Sequence, residues 1–331
     1  MRIVCLIGLS VFVSFVILGC TRPLDYYLSK GEIFHTSYHI KYEASDDLSE
    51  EINATLKAFD ASLNPFDTVS IISRINRNEI VEVDTFFASV FCRAKEIAIK
   101  TSGAFDITCA PLINAWGFGF HQMDSVSPAL IDSLKTFVGY ENICLDGRRI
   151  VKKDPRVQIN CSAVAKGYAC DVIAKLLDRY GIQNYMIEIG GEICAKGKNP
   201  KGDCWQIEIL KPIDDNAGLI VEQQEVVGLC NKSMATSGNY RNYYIKDGKK
   251  YAHTIDPSTG YPSESDLLSA TVIAPDCMTA DAYATAFLVL GMEKSCKLIE
   301  ELNQSGKERL AYYFIYINED GKYEIKQGGD L

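Results

Sequence analysis

Three Asp-Gly pairs, Asp146-Gly147, Asp247-Gly248 and Asp320-Gly321, each stand between short runs of strand-forming residues. A tight hairpin turn needs left-handed backbone, which glycine adopts without steric cost, so each pair folds the chain back on itself. Several strands are therefore antiparallel. Helical patterns interrupt them. Ile33 to Tyr42 alternates as a half-buried strand does, and Leu48, Ile52, Leu56, Phe59 and Leu63 follow at helical spacing. Asp84 and Thr85 start a helix that runs through Ile99 and closes at Gly103; Ser127-Pro128 opens another that ends at Gly139. Further helical stretches cover 163–179, 276–290 and 293–302, and Leu268 to Ala274 reads as a strand. With no repeat, no low-complexity tract and no long linker, the pattern predicts one α+β domain over residues 31–331, with mixed, largely antiparallel sheets and packed helices.

With 47% apolar and 23% charged residues in a chain of 331, there is ample material for a large core. Asp plus Glu outnumber Lys plus Arg by 43 to 34, a formal charge of −9, and no basic stretch gathers the cations that a row of phosphates demands. Nucleic-acid binding is excluded on that ground. An acidic chain that handles a small anion must find local positive charge in a metal ion or in the amides of a helix start.

The N-terminus is a processing segment. Arg2 precedes an apolar run from Ile3 to Leu18, too short and one-sided for a comfortable membrane span, and Ile17-Leu18-Gly19-Cys20 resembles a bacterial lipobox. Residues 1–19 are expected to be a signal peptide, Cys20 the lipidated residue and 20–30 a tether. The protein would then sit in the bacterial cell envelope, anchored by lipid alone and facing the periplasm. Export permits disulfides among the remaining cysteines, but their pairing is not readable. Cys92, Cys161, Cys170, Cys194 and Cys296 lie in apolar patterns, and the absence of C-x-x-C pairs argues against structural zinc.

Four segments carry candidate chemistry. In Ala280-Asp281-Ala282-Tyr283-Ala284-Thr285, Asp281 and Thr285 are i and i+4 on one helix face, two hard oxygen donors that suit magnesium. The bland alternative is a first-turn aspartate satisfying its own helix amides beside a buried threonine. Ala163 to Tyr168 is a strand-to-helix junction where backbone amides and Lys166 could meet a phosphate, or merely a packed helix start with a solvated lysine. It is not a P-loop, since G-x-x-x-x-G-K-[ST] is absent. In Tyr251 to Gly260, His253 is a candidate acid/base beside a turn-forming D-P-x-T-G, or a structural histidine. Gly190-Gly191-Glu192 and the Trp116-Gly117-Phe118-Gly119 run mark close backbone approach.

These segments occur in the order GAFDITCAPLINAWGFG, INCSAVAKGYACD, EIGGEICAKGKNPKGDCWQIEILKP, SMATSGNYRNYY, HTIDPSTGYP and ADAYATAFLVLG. Together they resemble the ApbE-like FAD:protein FMN transferases over nearly the whole mature chain. The resemblance implies a T-fold-related α+β domain that binds FAD with Mg²⁺ and transfers FMN to a threonine of a target flavoprotein, releasing AMP. It implies Asp281, Thr285 and the backbone carbonyl of Ala163 as metal ligands. It implies Phe34, Phe66, Ala104, Phe105, Asp106, Asn160, Lys166 and Ile255 as flavin-nucleotide contacts. His253 would be the catalytic base, with Asp256 the second candidate.

Departures from the family pattern are visible. Ala284 replaces a carboxylate that can precede the ligand threonine, Phe34-His35-Thr36 stands for Met-Gly-Thr, Phe66 in NPFDTVSIISRIN for a tyrosine, and Asn160 for an aspartate. The acceptor would carry a D-G-x-[ST]-[GS]-A-T-like site, as in subunits of sodium-pumping NADH:quinone reductases or related electron-transfer complexes. Two other functions fit the same motifs: a Mg²⁺-dependent FAD pyrophosphatase yielding FMN and AMP, and a non-catalytic FAD-binding lipoprotein. A nicotinamide-dependent oxidoreductase does not fit, because G-x-G-x-x-G is missing.

Overall fold

Two strands open the computed structural model, β1 (Asp25–Ile33) and β2 (Thr36–Ala44), paired so that Ile33 faces Thr36 across a two-residue turn. The structure describes residues 24–119, 126–212, 223–239, 243–246, 249–318 and 320–329, with backbone alone for 244–246, 249 and 250. The alternating run from Ile33 is thus broken after one residue. Phe34 and His35 take φ of +52° and +57°, the left-handed backbone that a tight hairpin turn of the I′ type needs at both places. Pairing reaches back to Asp25, so residues 25–30, expected to be tether, belong to the sheet. Cys20 and the apolar leader 1–19 lie outside the described residues.

Helix α1 (Ser49–Leu63) follows, burying Ile52, Leu56, Phe59 and Leu63 as their spacing requires. Next come α2 (Ile71–Asn76) and α3 (Thr85–Lys100), the latter capped by Asp84, whose carboxylate accepts from the Phe87 amide at 2.8 Å. The chain continues through α4 (Ala110–Ala115), α5 (Pro128–Lys135) and the hairpin β3 (Ile143–Asp146)–β4 (Arg149–Lys152). Ser127 caps α5 as its Ser-Pro start predicts, but the helix ends at Lys135, before Gly139. After α6 (Ala165–Arg179) come β5 (Tyr185–Ile189), β6 (Glu192–Lys196), β7 (Trp205–Leu210), β8 (Gln223–Leu229) and β9 (Lys232–Gly238). The hairpin β10 (Tyr243–Lys246)–β11 (Lys249–Ala252) then leads to β12 (Leu267–Ala274), α7 (Cys277–Leu290), α8 (Met292–Gln304), β13 (Ala311–Ile317) and β14 (Tyr323–Gly328).

Eight strands form one sheet in the order β1-β2-β5-β6-β9-β12-β13-β14, and every neighbouring pair is antiparallel. Gly147 and Gly321 sit in hairpin turns with φ of +57° and +76°, as expected of them. Asp247 and Gly248 lie outside the described residues, although Lys246 and Lys249 on either side are paired.

The two faces of the sheet are covered differently. Helices α1, α3, α6 and α7 close one face over a continuous core that includes Phe59, Phe87, Ile97, Ile173, Leu177, Tyr283 and Phe287. The β7–β8 hairpin covers part of the other, packing Trp205, Ile207 and Leu229 against Ile193, Met234, Ile273 and Tyr313. A disulfide joins Cys204 to Cys230 at the base of that hairpin, their Cα atoms 5.1 Å apart. A third, smaller cluster of Cys109, Leu112, Trp116, Ile131 and Ile255 ties α4 and α5 to the loop after β11. Among the described residues no helix is long and apolar enough to cross a membrane.

Candidate active site

The central feature is the crossing of α6 and α7. Gly167 stands at the contact: a Cβ there would come within 2.3 Å of the Cys277 carbonyl oxygen and 2.8 Å of Asp281 Cβ, so only glycine lets the helices approach this closely. The start of α7 is satisfied without Asp281. Asp276 accepts from the Thr279 amide, and both oxygens of Asp171 on α6 accept from the Cys277 and Met278 amides, each at 2.8 Å. Asp281 is therefore not needed as a cap for its own helix. Its Oδ2 instead accepts from the Gly167 amide at 3.0 Å. In a regular turn that amide would bond to the carbonyl of Ala163, four residues earlier. The redirection leaves the Ala163 carbonyl without its intrahelical donor at the point where Ala163 lines a cavity. Thr285, one turn beyond Asp281, has Oγ1 3.1 Å from Ser237 Oγ at the end of β9. Burial raises the pKa of Asp281, against the pull of Lys166 and the Gly167 amide.

Lys166 lies in the first turn of α6, with Nζ 2.6 Å from Glu192 Oε2 at the start of β6. The Gly190-Gly191 turn makes room for it. Gly190 has φ of +61°, and a Cβ there would meet Thr36 Cγ2 at 2.8 Å and Lys166 Cδ at 3.2 Å. Burial alone would lower the lysine's pKa, but the carboxylates of Glu192 and Asp281 outweigh it and hold the ammonium charged. For Glu192 burial dominates and moves the carboxyl upward, with Lys166 opposing.

The remaining walls come from loops fixed by polar contacts. Asp106 accepts from the Thr108 amide and hydroxyl and from the Tyr140 amide, each at 2.7 Å, so its carboxylate shapes the Ala104–Asp106 loop. Burial moves that carboxyl above its usual range, against those three donors. Asn76 exchanges two 2.8 Å hydrogen bonds with the Ile159 backbone, which places Asn160, and Asn160 Oδ1 accepts from the Ser162 amide. His253 follows β11, its ring 6.4 Å edge-to-face from Phe118. The D-P-x-T-G turn behind it is closed by Gly260 N–H donating to the Asp256 carbonyl at 2.8 Å. Trp116 Nε1–H donates to the Gly260 carbonyl at 2.8 Å, and the indole packs on Tyr251 and Tyr261.

These elements enclose a cavity of about 460 Å³. Its lining combines a polar group, Asp281, Thr285, Ala163, Lys166, Glu192 and Ser237, with the rings of Phe66, Phe118 and His253 and the side chains of Pro65 and Pro257. The structure thus gathers Phe66, Ala104, Phe105, Asp106, Asn160, Ala163, Lys166, His253, Ile255, Asp281 and Thr285 around one space. Two expected residues are elsewhere. Phe34 is not at the cavity, because its left-handed turn sends the ring onto Phe59 of α1, 5.5 Å between centroids. Asp256 is not a lining residue either: its Oδ1 accepts from the Ser258 amide and hydroxyl at 2.8 and 2.7 Å, which shapes the turn. Ser237 and Glu192 line the site and were not singled out as site residues from sequence. Glu192 follows a glycine pair that marks close approach, and Ser237 lies in the segment SMATSGNYRNYY, within which no feature set it apart from its neighbours. Among the described residues no cluster of three or more His, Cys, Asp or Glu is arranged for a metal, so a cation here would rest on Asp281 with neutral oxygens.

Known proteins share this fold. The chain is 36% identical over 330 residues to a Haemophilus influenzae protein named FAD:protein FMN transferase, covering 95% of this chain and 93% of that one. A protein of the same name from Escherichia coli K12 is 36% identical over 285 residues, 83% and 78% of the two chains. The solved structure of the flavin transferase ApbE from Vibrio cholerae superposes with a TM-score of 0.81 at 33% identity, covering 92% of this chain and 98% of that one. The ApbE protein of Thermotoga maritima gives a TM-score of 0.76 at 30% identity, covering 91% and 96%. The ApbE family model matches residues 34–308, which span every wall of the cavity, and the chain belongs to the ApbE family.

Proposed function

We propose that this chain transfers FMN from FAD to a threonine hydroxyl of a target flavoprotein, forming a phosphoester and releasing AMP, with Mg²⁺ held by Asp281, Thr285 and the Ala163 carbonyl. The observation that carries the reading is the mixed lining of the cavity: charged, oxygen-rich groups at the helix crossing together with aromatic and proline side chains, as a pyrophosphate joined to flat rings requires. Relatives named FAD:protein FMN transferase support the same substrate.

The donor set fits a hard divalent ion. It offers a buried carboxylate, a hydroxyl one helical turn away and a carbonyl whose usual donor amide bonds to Asp281 instead. When bound, Mg²⁺ supplies charge neutralisation at the pyrophosphate. Lys166 adds a fixed positive charge there, and Glu192 keeps its side chain in one orientation. Phe66 and Phe118 offer ring faces to the nucleotide, and the Ala104–Asp106 loop offers backbone at the wall. His253 takes the proton from the acceptor hydroxyl as it attacks, while Asp256 shapes the turn that carries it.

The envelope location, with a lipid on Cys20 after removal of residues 1–19, belongs to the same proposal and rests on the lipobox. So does the acceptor class, a protein with a D-G-x-[ST]-[GS]-A-T-like site such as a subunit of a sodium-pumping NADH:quinone reductase. The test is mass spectrometry of a peptide bearing that site, incubated with the protein, FAD and Mg²⁺ while AMP is followed. A mass gain of one FMN, lost without the metal, is the expected result. AMP with free FMN and an unmodified peptide would make the protein a pyrophosphatase, and tight FAD binding with no AMP would make it a carrier.

A further inference from the structure

The turn between β1 and β2 is built from residues that suit it poorly. A two-residue I′ turn favours Asn-Gly, since both central residues have positive φ, and a bulky side chain there is an outlier. This turn holds Phe34 at +52° and His35 at +57°. The Phe34 ring has a packing reason, its contact with Phe59 in the core. His35 is exposed, and its ring meets Phe66, 4.8 Å between centroids with the planes at 75°. Phe66 is 58% exposed and lines the cavity mouth. Its backbone is fixed by the Phe66 amide donating to Asn64 Oδ1 at 2.8 Å, which leaves the tilt of the ring to side-chain contacts such as that with His35.

We infer that His35 is a positioning residue for substrate binding: its edge-to-face contact sets the plane of the Phe66 ring, so that a flat heteroaromatic ring of the nucleotide stacks on Phe66 as it enters. The inference rests on the proposed use of FAD and adds the residue that aligns the stacking surface. It also gives the awkward turn a purpose, since glycine at 35 would relax the backbone and remove the ring.

The test compares the wild-type chain with His35→Gly and His35→Phe, reading FAD dissociation constants by flavin fluorescence anisotropy, melting temperatures, and KM against kcat. In His35→Gly the Kd and KM for FAD should rise roughly three- to ten-fold, the scale of an aromatic pair. Its kcat should stay near wild type, and its melting temperature should be at or above it. His35→Phe, which restores a ring, should recover the wild-type Kd. An unchanged Kd in His35→Gly overturns the inference, as does a rise in Kd accompanied by a lower melting temperature, which would mean a scaffold role. A wild-type protein that does not bind FAD would overturn both this inference and the reading beneath it.

Discussion

Asp281 is buried, accepts a single amide from a neighbouring helix and leaves the capping of its own helix to Asp276 and Asp171. A carboxylate placed this way is expensive to keep charged without a cation, so Asp281→Ala should fold yet lose all metal-dependent turnover in the AMP-release assay. His253 lines the same cavity, and in the proposed reaction it is the base. His253→Ala should lower kcat by about 10²–10⁴-fold with FAD affinity unchanged. A full rate at saturating FAD would remove it from the base role. At this scale the i, i+4 spacing showed that Asp281 and Thr285 share one helix face, and both line the cavity. The sequence was misleading at Phe34, because a motif position does not reveal that the local φ is positive and that the ring therefore turns toward Phe59.

Among the elements, helix starts were legible because side chains announce them: Asp84, Ser127 and Asp276 each accept from the amide three residues on. The helices α2 and α4, six residues each, were not, since fewer than two turns show no periodicity. Strand β1 was hidden by its lack of alternating burial at the sheet edge. Asp171 adds a measurable link between α6 and α7. Burial, reinforced by Asp276, lifts its carboxyl to about 7 against the two amides it accepts. The unfolded chain releases that proton near pH 4, at roughly the ordinary aspartate value. The folded state therefore binds more protons between about pH 4 and 7, and stability falls as pH rises through that window. Asp171→Asn should flatten this slope, as read from urea midpoints at pH 4, 5.5 and 7.

For the whole molecule, the sheet separates two tasks. Its helix-covered face and adjoining loops hold the cavity, while the β7–β8 hairpin with the Cys204–Cys230 disulfide packs on the reverse. Replacing both cysteines by serine should cost about 2–4 kcal/mol of stability, from a loop of 26 residues, and leave KM for FAD unchanged. A parallel change in KM would mean that the two faces communicate. The pairing itself was out of reach from sequence, because the ten cysteines beyond Cys20 offered no spacing signal; eight of them are free thiols, Cys92 and Cys144 at the surface and the rest buried or half-buried.

The contact at Gly167 bears on more than geometry. Because the α6 and α7 backbones approach closely there, the oxygens of the proposed cation site come together only when both helices are docked, so loading of that ion and folding would be one linked equilibrium. Magnesium at a hundred times its dissociation constant should then protect the protein from thermal unfolding by about 2.7 kcal/mol, and Asp281→Ala should show no such protection. The ion would act as a ligand of the native state in the absence of any flavin, and a melting curve without substrate would be enough to detect it.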